Sequence, residues 1–282
     1  MERIGRRLSV WARDSLSRGF DSAWKSRSFL AAIGTLVFFF PFSLFFVAGG
    51  FLPAQFRWMS SVIIIMSGLA TLLSELRSVS VQTAASRFIL IAGPMYLVEF
   101  VGVNTGLPFG SYRYTAELGL LVAGIPIAIS IAWYCTVINA WRIAEHLIGS
   151  AKPWAPVAVA FFAGFLALGL DIALEPMAGF IQKYWLWEGN AVPAQNYVSW
   201  FVLSTVAVYV LSRKRRERTQ EAATTTFHVA LFLFGFHFFL FLMTILVNGR
   251  FVAAAAALAV VSTPFALRFL MMWLPQPDVG RR

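Results

Sequence analysis

Three carboxylates stand in this chain where apolar sequence ordinarily excludes them. Glu99 lies inside "YLVEFVGV", and Asp171 and Glu175 close the run "FFAGFLALGLDIALEP". A charge at mid-membrane costs about 2.5–3.5 kcal/mol on insertion scales and less near the boundary, so an acid kept there points to function. Asp171 and Glu175 are i and i+4 and share a helix face. Pro176 biases Glu175 away from helical backbone, which predicts a helix end there and places Asp171 less than a turn inside the boundary. Two loops flank these acids. "NTGLPFGSYRYTAELG", 104–119, brings Asn104, Tyr112, Arg113, Tyr114 and Glu117; "QKYWLWEG", 182–189, brings Tyr184, Trp185, Trp187 and Glu188. Carboxylic acids kept in apolar surroundings beside aromatic side chains point to a functional site and to acid chemistry. The plainer reading is an interfacial aromatic belt with Arg113 snorkelling to headgroups. A belt does not account for Glu99 and Asp171 together.

The elements that position these residues are membrane helices. Hydrophobic residues make up 59% of the 282 and charged ones 13%, against roughly 45–50% and about 25% in soluble domains. The expected fold class is all-α, a polytopic transmembrane bundle. A span needs about 20 mostly apolar residues, which gives eight candidates: 28–50, 59–76, 86–102, 119–146, 154–174, 197–212, 225–247 and 251–272. The second and sixth are short and the fourth long, so seven spans is the alternative count. The first is too long for a cleaved signal peptide and reads as a signal anchor. The organisation is a basic cytoplasmic segment, 1–27, one transmembrane domain, 28–272, and a tail, 273–282. Lys and Arg concentrate in the N-terminal segment and in "RKRRER", 213–218. The positive-inside rule then puts both termini in the cytoplasm. Whatever the absolute orientation, the loops after spans three and five emerge on one face.

Several chemistries fail on residue counts. Cys135 is the single cysteine, so no disulfide and no cysteine-based cluster can form within the chain. Only His146, His228 and His237 are present, and the nine-residue spacing of the last two puts them on opposite faces of a helix; histidine-rich di-iron boxes are absent. No G-x-G-x-x-G turn announces a dinucleotide fold. One D-x-x-x-E is at best half of the paired Asp-rich magnesium motifs of membrane prenyltransferases. The net charge of +10 follows from loop topogenesis and does not call for nucleic acid. Metal-free, cofactor-free acid chemistry is what the residues allow.

The stretches "TGLPFGSYRYTAELG", "GIPIAISIAWY" and "DIALEPMAGFIQKYWLWEG" resemble the membrane carotenoid-biosynthesis family that includes the carotenoid 1,2-hydratases of bacterioruberin and myxol-type pathways. The resemblance covers roughly 95–212. Glu175 stands where the family pattern carries Asp, which keeps the carboxylate and lengthens its reach. The resemblance implies addition of water to the terminal 1,2 double bond of an acyclic, lycopene- or γ-carotene-like C40 carotenoid, without a cofactor. It implies an integral protein of the bacterial cytoplasmic membrane, with membrane lipid and other carotenoid enzymes as partners. Asp171 is then the expected general acid, with Glu175 or Glu99 holding the water. Tyr112, Tyr114, Trp185 and Trp187 would form the cation-facing wall; Asn104, Arg113, Glu117 and Glu188 are further candidates around the substrate. An acid-initiated cyclase or isomerase would need the same groups. A non-catalytic lipid-binding or transport protein is the alternative from another class.

Overall fold

The computed structural model describes residues 27–149, 153–213 and 220–273. The basic segment before Arg27, residues 214–218 of the "RKRRER" run and the tail from 274 lie outside the described residues. Among the described residues, eight helices are long and apolar enough to cross a bilayer. They are α1 Arg27–Ser43, α2 Trp58–Glu75, α3 Val81–Thr105, α4 Ile127–Ile148, α5 Ala155–Glu175, α6 Ala194–Arg213, α7 Gln220–Val247 and α8 Phe251–Trp273. The chain is an all-α polytopic integral membrane protein. A helix satisfies its own backbone hydrogen bonds, which lipid cannot. Four short strands lie between helices: β1 Tyr112–Tyr114, β2 Leu121–Val122, β3 Ile125–Pro126 and β4 Trp185–Trp187.

α4 is the centre of the bundle, buried from Trp133 to Ala144 without a break. α5 packs on it, and its small residues let neighbours approach closely. Gly164 faces Thr205 and Phe201 of α6, and Gly169 faces Ala257 and Val261 of α8. At one end of the bundle the connections after α1, α3, α5 and α7 are tied to one another. Gln182 Nε2 donates to Val47 O and Asn248 Nδ2 to Ala48 O, each at 2.8 Å. Thr115 Oγ1 donates to Lys183 O at 2.7 Å, and Ser61 Oγ to Leu118 O at 2.8 Å. The two unusual loops therefore do share a face.

Two expectations are corrected. The fourth span starts at Ile127, not at 119. Residues 121–126 pair as an antiparallel hairpin, Leu121 with Pro126 and Val122 with Ile125. Ala123 and Gly124 turn the chain at φ of 46° and 82°, the geometry of a tight two-residue hairpin. Apolar residues alone do not separate such a hairpin from a helix. Pro176, in turn, ends the α-helical ladder of α5 at Glu175 but does not end the helix. Glu175 is helical at φ −56°, ψ −49°, and a π-type turn continues over Pro176–Ile181. The wider turn absorbs the proline's missing N–H, and Gln182 N donates to Met177 O at 2.8 Å. Asp171 thus lies ten residues from the end of the continuous helix, about 15 Å, and not within its last turn. α3 also outruns its expected 86–102: Ser80 caps its start and Gly106, at φ 76°, closes its end, both beyond the apolar run.

Candidate active site

β1 and β4 come from loops some seventy residues apart and pair antiparallel, Tyr112 opposite Trp187, Arg113 opposite Leu186 and Tyr114 opposite Trp185. Side chains alternate across a strand, so Tyr112, Tyr114, Trp185 and Trp187 share one face of the ribbon. That face is turned inward. Arg113, on the other, is exposed. Gly102 makes the approach possible: a Cβ there would stand 2.9 Å from both the Tyr112 hydroxyl and the Phe109 ring.

Beneath the ribbon is a small chamber of about 40 Å³ lined by Glu99, Phe109, Trp133, Glu175, Asn196 and Trp200 together with the four ribbon aromatics. Glu99 comes from α3 and accepts three hydrogen bonds. Tyr112 Oη and Tyr114 Oη donate to its Oε2, the latter at 2.8 Å, and Trp133 Nε1 donates to Oε1 at 2.8 Å. Glu175 comes from the end of α5. Its Oε2 accepts from Trp185 Nε1 at 3.1 Å and Trp187 Nε1 at 2.8 Å, and its Oε1 from Asn196 Nδ2 at 3.0 Å. The same Asn196 nitrogen donates to Asp171 Oδ2 at 3.0 Å. One amide therefore holds two carboxyls together. Asp171 is fully buried, and its Oδ1 has no hydrogen-bond partner. Of the oxygens on these three acids, it is the one with no donor directed at it. Asp171 does not line the chamber; it stands behind Glu175.

The ribbon phenols are donors and remain so. Burial pushes Tyr112 and Tyr114 well above the ordinary tyrosine range, and the neighbouring Glu99 charge adds to the shift. Trp133 stacks on Trp200 with centroids 3.8 Å apart and planes at 17°, giving the chamber a second aromatic wall. Tyr184 sits outside the chamber, sharing a 2.5 Å hydrogen bond with Ser60; burial raises its hydroxyl to about 12.

The chamber adjoins a narrow apolar cavity of about 100 Å³ between α2, α4, α5 and α7. Ile129, Ala132, Leu174, Trp185 and Trp200 line both spaces. The structure thus brings Glu99, Glu175, Tyr112, Tyr114, Trp185 and Trp187 around one hollow, with Asp171 adjoining. It leaves four other candidates elsewhere. Asn104 is exposed and donates to Phe100 O at 2.7 Å; Glu117 pairs with Arg57 at 2.6 Å; Arg113 and Glu188 face outward. Sequence reasoning missed Asn196, Trp133, Trp200 and Phe109. Asn196, polar at the start of an apolar span, was the readable signal. The two tryptophans carry no local mark that separates them from core.

Comparison with known proteins adds an independent observation. Residues 59–264 match the family model described as "Carotenoid biosynthesis protein". Over 117 residues, 40% of this chain, the sequence is 32% identical to a bisanhydrobacterioruberin hydratase of Haloarcula japonica, and the match spans 39% of that protein. No solved structure matches the chain. The matched region takes in the ribbon, the chamber and the cavity: the chain belongs to the carotenoid biosynthesis protein family.

Proposed function

We propose that the protein is a cofactor-independent carotenoid hydratase of the bacterial cytoplasmic membrane, adding water to the terminal 1,2 double bond of an acyclic, lycopene- or γ-carotene-like end. One observation carries the reading: Glu99 and Glu175 face a single aromatic chamber that shares its wall with an apolar cavity. A linear polyene lies along the cavity and presents its isopropylidene end between the two acids. Glu175 in its acid form, coupled to Asp171 through Asn196, gives its proton to the alkene carbon that becomes CH2. The π electrons form that C–H bond and leave a tertiary cation on the neighbouring carbon. The faces of Tyr112, Trp133, Trp187 and Trp200 stabilise the cation by their quadrupoles. Water held near Glu99 attacks it, and the proton the water sheds returns to the acids. No proton or electron is consumed overall. Desolvated carboxyls sharing a site titrate as a unit, which keeps one proton available. Asp171, expected from its position to be the donor, takes the role of coupled partner here because Glu175 is the acid at the chamber wall.

The test is expression in a lycopene-accumulating host followed by extraction and mass analysis. Wild type is expected to yield pigment heavier by one water, and Glu175→Gln to leave lycopene unchanged. A product of unaltered mass but altered spectrum would replace hydration by cyclisation. Retention of lycopene by the purified protein, with no product, would replace it by binding or transport.

A further inference from the structure

The apolar cavity is short for a long chain. The ribbon closes one end. At the other, Ser67 with His237 and Thr71 with Asn139 form a polar floor, their pairs at 3.3 Å and 3.2 Å. One helical turn further on, Arg142 and Arg87 pair with Glu75. From Ile129 to Asn139 along α4 the cavity is about 15 Å deep, far shorter than a C40 polyene, so a bound polyene must leave it sideways.

One stretch of wall is a single residue layer thick. Val47 and Ser60 line the cavity from within. Their chain neighbours Phe46 and Met59 line a second hollow, about 520 Å³, on the outer side of α1 and α2. Phe38, Phe42, Phe45, Phe56 and Trp58 complete this outer groove, and Phe38 and Phe45 are largely exposed. At this height α1 is not α-helical. Leu44–Ala48 forms a π-type turn, which disturbs the ordinary hydrogen-bond ladder. Two carbonyls of the turn accept from side chains of the facing elements, Val47 O from Gln182 and Ala48 O from Asn248. Two amide side chains therefore latch the turn to the rest of the bundle.

We infer that this turn is a lateral door, and that the aromatic groove outside it binds the part of the polyene that the cavity cannot hold. The inference rests on the proposed function for the identity of the chain. Flat aromatic faces on both sides of the wall suit a conjugated, rigid polyene, which enters from the bilayer when the Gln182 and Asn248 contacts release.

The test locks the door. In a Cys135→Ala background, Ala48→Cys and Asn248→Cys place thiols on the turn and on its latch. The pair is closed by oxidation or by a short bifunctional maleimide, with closure confirmed by mass. The full chain in lipid nanodiscs is offered lycopene, and bound polyene is followed by its visible absorbance, separately from hydrated product. Closed protein is expected to take up lycopene at least tenfold more slowly than open protein, with the rate restored when a disulfide is reduced. Equal uptake by closed and open protein would overturn the door and leave the groove to lipid acyl chains. Door-dependent uptake without hydrated product would sustain the door and overturn the hydratase reading.

Discussion

Asn196 donates from one amide nitrogen to two carboxyls, Asp171 and Glu175, so it fixes their separation and gives one buried oxygen of each a donor, leaving Asp171 Oδ1 without one. At this scale the account makes a graded prediction. Glu175→Gln keeps the shape of the side chain and removes its acid, and should lower the hydration rate by about 10²–10⁴-fold, the usual contribution of a positioned acid. Asp171→Asn should lower it less, because Asp171 does not touch the chamber, and Asn104→Ala should leave it unchanged. Steady-state rates of the three variants decide the order; an inactive Asp171→Asn beside an active Glu175→Gln would reverse the assignment. The acids were legible in the sequence because charge in an apolar run is conspicuous. Their division of labour was not. It depends on Asn196, twenty-one residues from Glu175, and on which carboxyl the helix turns toward the hollow.

The ribbon and the π-type turns decide whether those side chains meet. β1 and β4 have three residues each, too short for a strand pattern to declare itself, and their partnership is long-range. Alternation in "YRY" and "WLW" gained meaning only once the strands were paired; read alone, the aromatics fit a membrane belt equally well. The proline rule found where the α-helical ladder of α5 stops but missed the π-type turn that carries the helix past Pro176. Gly102→Val should push Tyr112 and Phe109 away from α3, removing a donor from Glu99. We expect a loss of hydration greater than that of Tyr112→Phe, with the helix content by circular dichroism unchanged; equal activity in wild type and Gly102→Val would show that the ribbon need not sit so close. The buried phenols also give this region a pH limit. Tyr184 is raised to about 12 from an ordinary value of 10.0, so its contribution to stability is complete below pH 10 and is lost as pH rises toward 12. Tyr112 and Tyr114 shift in the same direction. Thermal melts in detergent should therefore fall above pH 10, and Tyr184→Phe should reduce that fall.

Across the whole molecule, the two ends of the bundle do different things. One carries the ribbon, chamber and door. Toward the other, Glu75 is buried between Arg87 and Arg142, and Arg142 lies 4.0 Å from the ring centre of Trp141. Stranding a buried charge costs about 3–5 kcal/mol; Arg142→Met leaves Glu75 with Arg87 alone, so it should cost less than that and still lower the melting temperature more than Arg57→Met at the exposed pair with Glu117. The span count and the shared face of the two loops were legible from hydropathy, since each helix must satisfy its own backbone in lipid. The hairpin at 121–126 was not, because its residues are as apolar as the helix they precede. On the orientation expected from the positive-inside rule, the ribbon would lie on the side away from the cytoplasm; Arg113→Cys should then react with an impermeant maleimide in intact cells, and labelling only after lysis would invert the topology. The central claim is that water, and not an internal alkene, captures a cation formed in the chamber. Purified protein given lycopene in water enriched with heavy oxygen tests it in one step: the account predicts a tertiary alcohol carrying the heavy isotope, and a product of lycopene's own mass with no label would contradict it.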